Sequence, residues 1–206
     1  MKKNIVYILG LFEDQKNLLF QHLKEELSSD VKCHYLAPFS IDKFGTESFD
    51  LTIKQTQSFI NTIKPEIIIA HSLGAYTVIH ISTNKPLILL DPSLEISNIV
   101  RSNLKKYNNV YFYDDGLYKI KLSSNFIASL KTIPSFRTVS KKIQTQIIDI
   151  FGAGRGGYKI ANQYHQYIPH SHYKILPTAT HEFKNKKDQA QIISLIKKRL
   201  DIKSSR

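Results

Sequence analysis

Residues 65–80 read PEIIIAHSLGAYTVIH, and this stretch gives the strongest indication of both fold and chemistry. The isoleucines at 67–69 form a short β-branched run, which is typical of a strand covered on both faces of a parallel sheet. From Leu73 onward, small and apolar residues can continue as a helix. Residues 70–74, AHSLG, match the G-x-S-x-G pattern of a nucleophile elbow, with Ala70 in place of the first glycine. Because such a turn exposes its serine beside free helical amides, Ser72 is predicted to be a nucleophile for acyl transfer.

Length and cysteine usage indicate a single cytoplasmic domain. With 206 residues the chain can bury one sizeable core, and residues 1–206 are predicted to form one domain. The apolar run at residues 5–9 is too short for a signal peptide, and no apolar stretch approaches the length of a membrane span. Cys33 is the single cysteine, so intramolecular disulfides are excluded, and its alternating surroundings predict a small buried thiol without a catalytic role.

The chain is strongly basic, with a net charge of +12 from 29 Lys and Arg against 17 Asp and Glu. The lysines are scattered through most of the chain, which is typical of a solvated surface rather than of a nucleic-acid footprint. We therefore predict no nucleic acid and no membrane as a partner. An anionic substrate remains compatible with this charge, and the sequence leaves the oligomeric state open.

Apolar periodicity predicts strands that alternate with helices. Strands are predicted at residues 4–9, 31–36, 67–69, 86–90, 143–151 and 173–176. Helices are predicted at residues 14–27, with Asp14 as the cap, at 50–64, directly after the elbow, and at 189–200. This alternation predicts an α/β domain with a mostly parallel sheet of about six strands and helices on both faces, whose sites form at the carboxyl ends of strands.

Residues 92–140 follow a less regular pattern. The aromatic-rich stretch at 107–118 contains a turn at Asp115 and Gly116, and residues 122–130 can form a short helix. Two interpretations of this segment stay open, a small lid or cap insertion over the pocket and an ordinary edge connection.

The chain resembles the α/β-hydrolase fold family, in a reduced form, through three features that occur in the family's order along the sequence. They are Gly10 after the first strand, the AHSLG elbow, and His181 after the last strand, and together they extend over nearly the whole chain. The resemblance implies that Ser72 is the nucleophile and that His181 is the general base. It also implies an oxyanion hole built from the backbone amide of Leu73 and that of Leu11 or Phe12.

The acid of the implied triad is not at its usual place. The family most often carries it after the next-to-last strand, but residues 151–181 contain no carboxylate. Some members carry it one strand earlier, where this chain has Asp91. We prefer Asp91 as the acid, although Asp91 could also be part of a simple capped turn and the site could be a Ser-His dyad. Asp149, inside a predicted strand, and the carboxylates of the insertion are poorer candidates.

Residues 152–157, GAGRGG, match the G-x-G-x-x-G pattern of a dinucleotide-binding loop. Only 49 residues follow Gly157, which is too few for the rest of a cofactor domain, and residues 158–168 show no clear apolar helical face. We therefore predict no organic cofactor. Amides of this loop, together with Arg155 and Lys159, are instead predicted to favour an anionic substrate such as a phosphorylated or carboxylated acyl ester or thioester.

The histidines at 165, 170 and 172 do not have the spacing of a zinc site and no cysteine accompanies them, so no metal is predicted. The sequence as a whole predicts a serine hydrolase that acts on a small-molecule acyl ester or thioester through an acyl-enzyme. Two alternatives remain. One is a non-catalytic binding or scaffold protein with the same fold, and the other is an acyltransferase that uses the same Ser and His.

Overall fold

The computed structural model describes residues 2–93, 96–141, 143, 145–153, 157–169 and 171–202. Strands and helices alternate through most of these residues. No helix in the described ranges is long and apolar enough to cross a membrane. In chain order the elements are β1 (Lys3–Ile8), α1 (Leu18–Leu27), β2 (Val31–Leu36), α2 (Phe49–Ile63), β3 (Ile67–His71), α3 (Ser72–Val78), β4 (Leu87–Leu90), α4 (Ile96–Ser102), β5 (Leu104–Tyr107), β6 (Val110–Asp114), β7 (Lys119–Leu122), α5 (Ser124–Thr132), α6 (Phe136–Ser140), β8 (Ile147–Gly152), α7 (Gly157–Tyr167), β9 (His172–Leu176) and α8 (Lys186–Arg199).

Six parallel strands form the central sheet in the order β2-β1-β3-β4-β8-β9. All residues of β3 are buried, because β1 and β4 pair with its two edges and helices cover both of its faces. Helices α2, α3 and α7 pack on one face through Ile60, Tyr76 and Tyr164, and α1 and α8 pack on the other through Leu19 and Ile192. This arrangement confirms the predicted α/β class, with a parallel sheet of six strands and helices on both faces.

Helix α1 begins later than predicted, and Asp14 does not cap it. The Asp14 side chain accepts a hydrogen bond from the Lys16 amide at 2.7 Å, which closes a turn before the helix. Asn17 is the cap, because its side-chain oxygen accepts from the Phe20 amide at 2.9 Å. Asp14 and Asn17 are both short polar residues that can cap a helix. Because the Asp14 side chain is engaged in a local Asx turn, Asn17 caps α1 instead.

Helix α7 occupies residues in which the sequence analysis found no apolar helical face. The structure corrects that interpretation, because Ala161, Tyr164 and Ile168 are buried at intervals of three and four residues. Tyr164 packs on Phe136 and Phe151, with ring centroids 4.6 Å and 5.8 Å away. The face is narrow and partly aromatic, and polar residues dominate the remaining positions.

The segment at 92–140 contains a small antiparallel sheet, β5-β6-β7, and the helices α4, α5 and α6. Tyr113 and Phe126 of this segment are buried against Phe44, with ring centroids 5.2 Å and 5.3 Å from it. Phe12, which follows β1, lies 4.4 Å from the ring of Tyr118. The segment therefore packs beside the carboxyl end of β1, and its role as a lid stays a prediction.

Candidate active site

The turn between β3 and α3 is tightly constrained. Ser72 has a left-handed backbone conformation, with φ of 50°, which residues other than glycine rarely adopt. A Cβ on Gly74 would lie 2.5 Å from the carbonyl oxygen of Leu9 and 2.6 Å from that of Ile8. Only glycine at this position therefore allows α3 to pack directly on the end of β1. Ser72 lies directly after the carboxyl end of β3, and the residue is 7% exposed.

Ser72, His181 and Asp91 form a continuous chain of hydrogen bonds. The Ser72 Oγ lies 2.9 Å from His181 Nε2, and His181 Nδ1 donates to Asp91 Oδ2. Because an ionised carboxylate can only accept, this contact keeps the proton on Nδ1 and leaves Nε2 free to accept from the serine hydroxyl. The three residues follow β3, β9 and β4, so the parallel sheet brings their loops together at one edge.

Asp91 is held in place by its backbone. Its φ is 43°, its amide donates to the Ile150 carbonyl at 2.7 Å, and the residue is 4% exposed. The second carboxylate oxygen, Oδ1, has no hydrogen-bond partner within the described ranges. A buried carboxylate in this position can stabilise a positive charge on His181 while the ring holds an extra proton.

The predicted oxyanion donors are the backbone amides of Leu73 and of either Leu11 or Phe12. The Leu73 amide belongs to the first turn of α3, where helix amides lack an intrahelical partner. The Phe12 amide donates to the Phe39 carbonyl at 2.9 Å and is therefore occupied. Of the two residues considered in the turn after β1, Leu11 is the one whose amide has no acceptor among the described residues.

Close packing at the end of β8 explains why residue 152 is a glycine. A Cβ there would lie 2.8 Å from the Ala179 carbonyl oxygen and 2.9 Å from that of Thr180. The glycine thus lets the loop that carries His181 approach the sheet closely. Arg155, predicted to bind an anion, lies outside the described residues, and Lys159 is exposed on α7.

Glu13 belongs to the site and was missed from the sequence. Its carboxylate accepts from His71 Nδ1 at 2.8 Å and from the Gly10 amide at 2.5 Å. His71 Nε2 lies 2.7 Å from the main-chain oxygen of His181. The sequence signal that could have found Glu13 is a carboxylate three residues after Gly10, in the turn assigned to the oxyanion hole.

The pKa values of this pair shift in opposite directions. Burial would lower the pKa of His71, but the charge of Glu13 and the hydrogen bond to it outweigh burial, so the pKa of His71 is raised. Burial would raise the pKa of Glu13, but the charge and hydrogen bond of His71 outweigh it, so the pKa of Glu13 is lowered. Both shifts favour the charged pair.

A cleft of about 880 Å³ lies apart from this site, at the amino ends of the strands, where Pro65 and Lys85 precede β3 and β4. Within the part of the chain that the structure describes, no three His, Cys, Asp or Glu side chains are grouped so that they could hold a metal ion. His170, one of the three histidines considered above, is not among the described residues.

No model of a protein family matches the sequence, and no curated protein matches it either. The fold, in contrast, is similar to many solved structures. Est1E from Butyrivibrio proteoclasticus with ferulic acid bound has a TM-score of 0.75 and 14% identity, over 97% of this chain and 90% of that chain. The esterase domain of a Rhodothermus marinus protein has a TM-score of 0.68 and 16% identity, over 94% of this chain and 84% of that chain.

A thioesterase domain from the curacin biosynthetic pathway is also similar, with a TM-score of 0.62 and 12% identity, over 95% of this chain and 90% of that chain. All of these identities are low, so the likeness concerns the path of the backbone. Together with the sheet order and the elbow, it confirms that this chain has the α/β-hydrolase fold.

Proposed function

We propose that this chain is a serine hydrolase that cleaves an ester or thioester of a small molecule through an acyl-enzyme. The observation that carries the proposal is the unbroken contact from the Ser72 hydroxyl through the His181 ring to the Asp91 carboxylate. The strained backbone of Ser72 and the contact of its hydroxyl with an imidazole are the features expected of an activated serine nucleophile. The esterases and the thioesterase of similar fold support the same class of reaction.

In the proposed reaction, the Ser72 oxygen attacks the carbonyl carbon of the substrate while its proton moves to His181 Nε2. The amides of Leu73 and Leu11 bind the oxyanion of the tetrahedral intermediate, and Asp91 stabilises the imidazolium. The C–O or C–S bond to the leaving group then breaks, and His181 returns the proton to that group. Water attacks the acyl-enzyme in the same way, so that the acid is released and the serine hydroxyl is regenerated.

The proposed preference for an anionic substrate rests on Lys159, because α7 begins shortly after the carboxyl end of β8, at the end of the sheet that carries the site. Lys159 is exposed on the first turn of α7 and can reach a negative group in solvent. Comparing charged and neutral acyl substrates in Lys159→Ala tests this point. A selective rise in KM for the charged substrate supports the preference, and an equal change for both rejects it.

A fluorophosphonate probe tests the reaction class, because it forms a covalent bond with an activated serine and needs no knowledge of the substrate. We expect the wild-type protein to be labelled at Ser72 and the Ser72→Ala and His181→Gln variants to remain unlabelled. His172→Gln is the matched control, because His172 is an exposed histidine on β9. Absence of labelling of the folded wild-type protein, under conditions that label an active esterase, would show that the fold serves binding rather than catalysis.

A further inference from the structure

Glu13 is the acceptor at which three donors meet. Its Oε2 accepts from the Gly10 amide at 2.5 Å, and its Oε1 accepts from His71 Nδ1 and from Asn17 Nδ2, both at 2.8 Å. The Glu13 side chain is 16% exposed and that of His71 is 3% exposed. Hydrogen bonds from several donors favour the ionised form of a carboxyl group, so Glu13 is expected to carry its negative charge.

Both nitrogens of His71 face acceptors. Nδ1 meets the Glu13 carboxylate, and Nε2 meets the His181 main-chain oxygen at 2.7 Å. A carbonyl oxygen and an ionised carboxylate can only accept, so the ring must donate at both positions. A histidine that donates from both nitrogens is an imidazolium, which agrees with the raised pKa of His71 and the lowered pKa of Glu13.

We propose that Glu13 and His71 form a charged positioning pair, which ties the turn carrying the Leu11 amide to the loop carrying His181. This proposal rests on the proposed hydrolase function, because it gives the pair a role in aligning the oxyanion hole with the base. Glu13 holds the turn at its first residue, Gly10, and His71 holds the backbone of His181 itself. The proposed oxyanion donor and the base are thus fixed relative to each other through two side chains whose hydrogen bonds involve neither the Ser72 hydroxyl nor the His181 ring.

The charge on His71 also affects its neighbours. The His71 and His181 rings lie 4.8 Å apart, so the positive charge of His71 lies close to the base, and the Glu13 carboxylate at 2.8 Å is its counter-ion. Tyr7 also interacts with the charge of Glu13. Burial raises the pKa of Tyr7, and the charge of Glu13 raises it further, so Tyr7 stays neutral near pH 7. The pair therefore places a cation, His71, close to the base, His181, because the Glu13 carboxylate of the same pair balances its charge.

The Glu13→Gln variant removes the charge and keeps the shape of the side chain. We expect kcat to fall about 10- to 100-fold with little change in KM, because misplacement of reacting groups by a fraction of an ångström to an ångström costs rate in this range. Glu26→Gln is the matched control, because Glu26 forms its ion pair with Lys197 at the surface. If folded Glu13→Gln and Glu26→Gln had the same kcat, the positioning role would be rejected.

A second measurement does not depend on activity. Nitrogen-15 NMR of labelled histidines, assigned with His71→Gln, should show both His71 nitrogens protonated at pH 7, where an ordinary histidine with a pKa of about 6.5 is mostly neutral. The same result is expected in Ser72→Ala, which cannot react. A neutral His71 in the wild-type protein would overturn the pair even if the enzyme is active. A charged His71 in a protein that hydrolyses nothing would instead retain the ion pair and reject the proposed function.

Discussion

Replacing Asp149 with asparagine should make the stability of this protein much less sensitive to pH. Asp149 is a fully buried residue of β8, and neither of its carboxylate oxygens has a hydrogen-bond partner within the described ranges. Burial raises the pKa of Asp149 from 3.8 to about 8, although the nearby Ser171 hydroxyl acts in the opposite direction without a well-directed hydrogen bond. The buried side chain is therefore neutral in the folded protein at pH 7, whereas in the unfolded chain it is ionised.

The size of the effect follows from the two pKa values. Because the folded state holds the proton more tightly, stability is lost as pH rises from the unfolded pKa of 3.8 to the folded pKa of about 8. Each unit of pKa difference corresponds to about 1.4 kcal/mol, so about four units correspond to a loss of about 6 kcal/mol at high pH. That loss is comparable with the whole stability of many domains, which lies at about 5–15 kcal/mol. Between about pH 5 and about pH 8 the expected loss is about 4 kcal/mol.

Urea unfolding at a series of pH values measures this effect directly. The Asp149→Asn variant should gain about 4 kcal/mol relative to the wild-type protein between about pH 5 and about pH 8, with an unchanged m-value. At the acidic end the two should differ little, because a protonated carboxyl and an amide both leave polar atoms unpaired, at about 1–3 kcal/mol each. Asp42→Asn is the matched control at an exposed site. Parallel curves for wild type and Asp149→Asn would refute the raised pKa of Asp149.

Three further substitutions test other parts of the molecule. Asp91→Asn should lower kcat about 10⁴-fold in steady-state ester hydrolysis with KM nearly unchanged, and a loss below tenfold would favour a Ser-His dyad. Gly74→Ala should destabilise the protein by about 1–3 kcal/mol in urea unfolding, because its Cβ would meet the carbonyl oxygens of Leu9 and Ile8; an unchanged midpoint would contradict this packing. Ser48→Ala should cost about 1 kcal/mol in the same assay, because the Ser48 side chain caps α2, and no loss would show that water replaces the cap.

The inner strands of the central sheet were predictable because they are short, mostly apolar runs. Ile67, Ile68 and Ile69 are β-branched and apolar without interruption, a pattern that arises when both faces of a strand are covered. The largest error in a strand boundary is at β8, which was predicted to begin at residue 143 but begins at Ile147, after three polar residues of the sequence. The region from β5 to α6 was harder to predict, because its strands are short and have one exposed face with lysines between aromatic residues. Short alternating runs of this kind are compatible with more than one structure.

The candidate site was predictable to the extent that its residues sit at the ends of strands. Ser72, Asp91 and His181 each follow a strand, and the order along the chain limits which loops can meet. Glu13 was not predictable in this way, because its role depends on how the turn after β1 folds back onto His71. The choice between Leu11 and Phe12 likewise needed the structure, since only the contact to Phe39 shows which amide is already occupied.

The position of the acid follows from the order of the strands and from one glycine. β4 lies next to β3, and Leu90 pairs with His71, so the residue after β4 lies immediately beside the residue after β3. Asp91 can therefore reach the far side of the His181 ring while Ser72 reaches the near side. At the end of β8, a side chain on Gly152 would collide with the main chain of the loop that carries His181. The turn after β8 has no carboxylate, and the loop that carries His181 packs closely on the end of β8. The acid comes instead from the end of β4, and these two facts belong to one arrangement.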